Sequence, residues 1–309
     1  FFFKQKTAYE ISTRDWSSDV CSSDLDGGDA NKKTSITNSQ VTSTVNNYSS
    51  SNSDGTGGVI GRATSSIFTD VTVNSTVTSF AGSGATGGVI GSDSGSVLTG
   101  TSVTASASNS SYYPWWCWGW CWTQASGDVG GVIGNATGTQ LIDTKVVTPT
   151  DSNGNPSSSV VVTNGGSSGA TGGLIGTANS VTITGVSSSI QANTDANGNT
   201  ISATSATPIT VTNNSSSGAV GGVIGSDSGS TVTGIATVTN VNNSSGNNYS
   251  ATGGLVGQAT SSTLDQVNIN SIVTSNAGAV GGVIAQASGT TTLSNVTVTS
   301  TVTNSSSNS

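Results

Sequence analysis

The sequence predicts an all-β fold: a right-handed parallel β-helix, or β-solenoid, of about seven to eight coils with lateral insertions. Three observations lead there. The pentapeptide Gly-Gly-(Val/Leu)-(Ile/Val)-(Gly/Ala) recurs seven times, starting at Gly57, Gly87, Gly130, Gly172, Gly221, Gly253 and Gly281. A second apolar position follows each start by about eleven residues, at Phe68, Leu98, Leu141, Ile183, Val232 and Leu264, with Leu293 one step later. Beyond it run alternating stretches such as Val71-Thr72-Val73 and Val296-Thr297-Val298, the pattern of a half-buried strand, and no helical period competes. Units this short have no core of their own, so they bury their apolar faces only by stacking on one another.

Taken in order, residues 1–25 stand outside the repeat. They resemble the translation of a short-read sequencing-library adapter, carried by Phe3 to Ile11 and Asp15 to Leu25 with the variable index over Ser12 to Arg14. A secretion signal would need an apolar run of seven or more residues, which this segment lacks. It is therefore set apart from fold and function as not native. Together with the missing initiator Met it implies a fragment of a longer parent chain.

Residues 26–56 read as a polar lead-in with a partial leading repeat, because Ala30-Asn31 followed by KKTSITNSQVTSTV resembles Ala178-Asn179 followed by VTITGVSS. Residues 57–309 hold the seven full repeats. Successive starts are 30, 43, 42, 49, 32 and 28 residues apart, so the bare unit is close to 30 residues and three units carry insertions. In each unit the Gly-Gly pair permits a tight bend and close backbone approach. One of the two following apolar residues faces inward while its neighbour packs at a corner. A polar turn, the second apolar position and the alternating strand complete the coil. Seven rungs at about 4.8 Å give a rod roughly 35 Å long.

Two insertions, Asp151-Ser-Asn-Gly-Asn155 and Asp195-Ala-Asn-Gly-Asn199, place Asn-Gly between Val- and Ile-bearing arms. That dipeptide suits a two-residue hairpin turn, where both central residues need positive φ. A calcium loop would also need the later bidentate Glu, so a hairpin is expected.

Charge narrows the function. Outside residues 1–25 there are four basic and eleven acidic side chains, with no His, Glu or Met. Such a surface cannot neutralise phosphates, which disfavours nucleic acid and anionic membranes as partners. Neither a catalytic constellation nor a metal or cofactor site is expected. The acids Asp70, Asp93, Asp143, Asp227 and Asp265 fall on separate units, and a turn Asp capping its own backbone is the ordinary role for each. Asp93 and Asp227 occupy equivalent places in identical Gly-Ser-Asp-Ser-Gly-Ser stretches.

The candidate ligand-contact loop is the insertion Tyr112, Tyr113, Pro114, Trp115, Trp116, Cys117, Trp118, Gly119, Trp120, Cys121 and Trp122. Aromatic rings displayed on a loop stack on sugars or partner surfaces. Cys117 and Cys121 could close a small disulfide in an oxidising compartment, but are two ligands short of a zinc site. Two other readings stay open. The loop could cap an apolar end or side of the stack. It could also be a local frameshift, since Trp has the single codon TGG and a one-base shift yields a Gly-rich stretch like the rest of the chain.

GGLVGQATSSTLDQVNINSIVTS and its six relatives resemble the GLUG-type repeat of large secreted or surface-attached microbial proteins. An aromatic-containing Asn-Ser-Tyr-Ala-Thr-Gly common in that family is replaced here by Thr and Val. The resemblance implies an adhesin-like, non-enzymatic stalk or contact surface, extracellular or on the cell surface, with host-surface or matrix glycans or proteins as partners. The alternative is a carbohydrate-binding module or carbohydrate-active enzyme on the same scaffold. An ice- or crystal-binding face, prompted by Thr-rich strands such as Thr297 to Thr303, ranks below both, because insertions are expected to interrupt the rows such a face needs.

Overall fold

The computed structural model describes residues 34–48, 55–80, 84–110, 126–148, 160–190, 193–194, 200–201, 209–215, 217–245, 250–276 and 278–305. Every regular element among them is a strand. Apart from one short antiparallel pair, the strands form three parallel sheets that the chain visits in the same order in each full unit. In the first full unit a two-residue strand, Thr56–Gly57, bends at Gly58 and Val59 into Ile60–Thr64. The chain then turns at Ser65 into the long sheet as Ile67–Thr69 and Thr72–Ser79. The next unit pairs in register on all three sheets, with Thr56 beside Thr86, Ile60 beside Ile90 and Phe68 beside Leu98.

The expected second apolar position is a single ladder of eight rungs. It runs Ile36, Phe68, Leu98, Leu141, Ile183, Val232, Leu264 and Leu293. Among the described residues the leading rung, Ser35–Thr37 and Gln40–Asn47, belongs to the long sheet alone. Both apolar residues of the pentapeptide are buried through the interior units, Val89 and Ile90 among them, one at the bend and one on the following strand. Burial lapses at the last rung, where Leu293 is 46% exposed.

The Gly-Gly pair is a steric requirement. A methyl group on Gly172 would strike the carbonyl oxygen of Ile175 in its own unit. One on Gly173 would strike the carbonyl oxygen of Gly222 in the next unit and Ile209 across the interior. The molecule is thin at this corner, and in the units without a mid-strand excursion small residues of the long sheet, such as Ser75, Ala105 and Ser271, fill the space opposite, while Val160 and Ile209 fill it in the two units that have one. There Ser75 donates to the carbonyl of Gly88 at 2.6 Å and Thr239 to that of Gly254 at 2.9 Å. These bonds tie the long sheet to the bend of the following unit.

The long strand carries a left-handed residue near its start in every rung, including Asp70, Gly100, Asp143, Gly185 and Gln266. A residue in this conformation breaks the two-residue alternation, so both Phe68 and Val71 face inward. Where a unit has Asp here, the next has Gly: the Asp70 carboxyl sits where a side chain on Gly100 would lie, and Asp143 does the same over Gly185. The second corner is bonded side chain to side chain. Asn213 donates to Asn243 at 2.9 Å, Asn243 to Thr252 at 2.8 Å, and Thr252 shares a 2.9 Å bond with Ser275. These buried amides and hydroxyls replace water for one another across successive units.

The insertions leave and re-enter the long sheet in mid-strand. Gln140–Thr148 and Thr182–Ile190 pair with each other along their whole length. After the excursion the chain returns as Val160–Gly165 and Ile209–Asn213, which fill the second half of the two rungs. Asn193–Thr194 and Thr200–Ile201 pair antiparallel, as arms of a hairpin around the Asn197-Gly198 dipeptide should. Residues 195–199 between them, and the other Asn-Gly insertion, lie outside the described residues.

Candidate functional site

The sequence-predicted contact loop, Tyr112 to Trp122 with Cys117 and Cys121, lies outside the described residues, as do residues 1–25. What the structure places are its two roots. Ser110 ends the long strand Ser102–Ser110, and Ser126 resumes the chain through a parallel bridge to Ser168. Each root adjoins a feature that the sequence did not announce.

Beside the first root, Asn47 pairs with Ser79 and Ser79 with Asn109, so Tyr48, Phe80 and Ser110 occupy one position on three successive rungs. The Tyr48 and Phe80 rings stack with centroids 4.7 Å apart and planes within 4°. Tyr48 remains 61% exposed. The signal in the sequence was the shared place of Tyr48 and Phe80, 32 residues apart, each one step past the end of its long strand.

At the second root lies an open groove of about 400 Å³. Its wall is polar, with Ser92, Ser126, Asp128, Asn135 and Ser168 contributing side chains. Asp128 precedes the two-residue strand Val129–Gly130. The equivalent places in the other full units hold Gly55, Ala85, Ala170, Ala219, Ala251 and Ala279, so Asp128 is the one charged residue in that ladder. Its carboxylate is fixed from two sides: Asn135 Nδ2 donates to Oδ2 at 3.0 Å, and the Ala170 backbone N–H donates to Oδ1 at 2.9 Å. Asp128 stands out only when the units are aligned, which reveals an acid where the repeat takes Ala or Gly.

The five acids singled out from sequence do not converge. Asp70 and Asp143 hold left-handed backbone positions near the start of the long strand. Asp265 is a surface group that accepts from Ser294 at 2.7 Å and Asn295 Nδ2 at 2.8 Å, and these bonds hold its carboxyl below the ordinary range. Asp93 and Asp227 depart from the simple turn role: they face inward, 5% and 1% exposed, in a ladder that otherwise holds Ala63, Ala136, Ala178, Ala259 and Ala287. Asp93 does accept the Ser96 N–H at 3.3 Å, and also the hydroxyl of Thr139 in the next unit. Asp227 has no partner of hydrogen-bond geometry for either oxygen. Burial pushes both carboxyls above the ordinary range, opposed by Ser96 and Thr139 at Asp93 and by the Ser230 and Ser262 hydroxyls at Asp227.

The outward face of the long sheet is uncharged over its second half. One column runs without interruption through Asn46, Thr78, Ser108, Thr163, Thr212, Asn242, Thr274 and Thr303. The expectation that insertions interrupt such rows is corrected here, because the returning strands carry Thr163 and Thr212 back into register. Among the described residues no helix is long and apolar enough to cross a membrane, and no group of three or more metal-ligating side chains assembles. Comparisons of the chain with family models, with curated proteins and with solved structures returned no match.

Proposed function

We propose that this chain is a non-enzymatic adhesive or structural segment of a secreted or surface-displayed microbial protein, a right-handed β-helix of GLUG-like repeats serving as stalk and contact surface. The right hand follows from the strong preference of parallel strand–crossover–strand connections for it. The observation that carries the reading is the eight-rung outward column of small hydroxyl and amide side chains, maintained across two insertions that would otherwise break it. The same returning strands carry Val160, Val162, Ile209 and Val211 into the core, so the outer row and the core are rebuilt together. A long face of fixed repeat, uncharged over its second half, suits broad contact with a hydroxyl-rich surface, and the aromatic insertion adds a further contact point.

The aromatic pair of exposed Tyr48 and half-buried Phe80 favours a second reading, a carbohydrate-binding module, since sugar rings pack on surface aromatic side chains. Both are tested by attachment of the full chain to glycan arrays and to surfaces coated with matrix protein. It is compared with two variants, one with Trp115, Trp116, Trp118, Trp120 and Trp122 all changed to Ala and one carrying Thr163→Lys with Thr212→Lys. Attachment by the parent, lost in one variant at unchanged melting temperature, supports the reading and locates the contact. No attachment by the parent, or equal attachment by all three, refutes it.

A further inference from the structure

We propose that the groove around Asp128 is a binding site for a neutral saccharide, recognised through a pair of neighbouring hydroxyls. The proposal rests on the adhesive reading and deepens it by naming a ligand class. It starts from a departure within the repeat. Coil stacking is satisfied by Ala or Gly at the position before the two-residue strand in every other full unit, so nothing in the architecture asks for a carboxylate there. The third unit has one, and the groove forms around it.

The chemistry of the carboxylate selects the ligand. Asn135 and the Ala170 N–H each occupy one acceptor position, on different oxygens, and lock the plane of the group. One lone pair per oxygen remains for solvent or ligand. Two acceptors at the separation of carboxylate oxygens match two adjacent hydroxyls of a sugar ring, and charge-assisted O–H donation is the stronger kind of hydrogen bond. Ser92, Ser126 and Ser168 line the same groove, and with the Asn135 amide they add donors and acceptors at the rim. A single acid without further acidic ligands is a poor divalent-cation site. It also repels anionic sugars, as does the net charge of −8. The size of the groove falls within the range of small-molecule sites and suits one or two sugar rings.

The full chain is titrated calorimetrically with the neutral methyl glycosides of mannose, galactose and glucose, and with deoxy analogues lacking one hydroxyl of each adjacent pair. N-acetylneuraminic acid and calcium chloride alone are run beside them. At least one neutral glycoside binds, and its deoxy analogue and Asp128→Ala each weaken binding about tenfold or more, the scale of a lost charge-assisted pair. Asp128→Ala keeps the parental melting temperature, since Ala is what neighbouring units carry. Asn135→Ser, which reproduces Ser92 and Ser226 of other units, weakens binding by a smaller factor and covers the case in which the first variant misfolds. The proposal is overturned if no neutral glycoside binds, if only calcium or the anionic sugar binds, or if both variants bind within about twofold of the parent. Surface attachment of the parent with Asp128→Ala unaffected removes the groove and leaves the adhesive reading standing. Glycoside binding through Asp128 by a chain that attaches to no surface does the reverse.

Discussion

Replacing Asp227 by Ala should make the protein more stable at neutral pH and remove part of its pH dependence. The Asp227 carboxyl is 1% exposed, and neither oxygen receives a hydrogen bond of good geometry, the nearby Ser230 and Ser262 hydroxyls only partly offsetting its burial. Its ladder neighbours are Ala178 and Ala259, so the variant adopts the arrangement that adjacent units already use. An unmet buried polar group costs about 1–3 kcal/mol. The small space left by its removal offsets about 1 kcal/mol, leaving a net gain of about 1–2 kcal/mol at neutral pH. The sign with pH follows from burial raising the folded-state pKa. The folded chain then holds a proton that the unfolded chain has released, so the group's contribution is fully present below the ordinary carboxylate pKa and lost as pH rises through the raised value. Denaturant midpoints measured from acidic to neutral pH should therefore fall more steeply in the parent than in Asp227→Ala. Asp227→Asn should be equally flat but without the gain, because its amide is still buried. Asp93→Ala should gain less, since Thr139 and Ser96 lose an acceptor. A parent that outlasts Asp227→Ala at neutral pH, or two parallel pH profiles, would refute the reasoning.

Gly173→Ala should cost about 3 kcal/mol or more, because the added methyl collides with backbone of the next unit and with Ile209. Gly138→Ala, with nothing near the added carbon but a φ of +63°, should cost only about 1 kcal/mol in the same denaturant melts. Asn213→Ala removes a fully buried amide from the corner ladder and should destabilise by about 2–3 kcal/mol. Hydrogen exchange should speed up first around Asn164, Asn243 and Thr252. Deleting Phe1 to Leu25 should leave the melting temperature unchanged, and a clear drop would show that this segment packs on the stack.

Much of the fold was legible because it rests on local sterics repeated at a fixed period. The Gly-Gly pairs and the apolar positions beginning at Phe68 mark where backbones touch and side chains stack, and each became a ladder in register. The direction of Asp93 and Asp227 was not legible. Simple alternation from Ile90 would place Asp93 outward, but Gly91 shifts the alternation, so Ser92 turns out and Asp93 turns in. A glycine or a left-handed residue can reset which side every later residue faces, and the sequence does not mark where this happens.

The sequence by itself determined the repeat, its period, the small residues at the bend and the apolar ladders, since these are properties of one unit and of identity between units. Only the tertiary structure decided what the units do to one another. It returned Val160–Gly165 and Ile209–Asn213 to rungs that their insertions had left. It also stacked Tyr48 on Phe80, and brought Asp128 against Asn135 and the Ala170 N–H. Those juxtapositions join residues from different units whose separation along the chain varies with every insertion. They are set by the stacking register, a collective outcome of backbone hydrogen bonding and core packing that no single unit encodes.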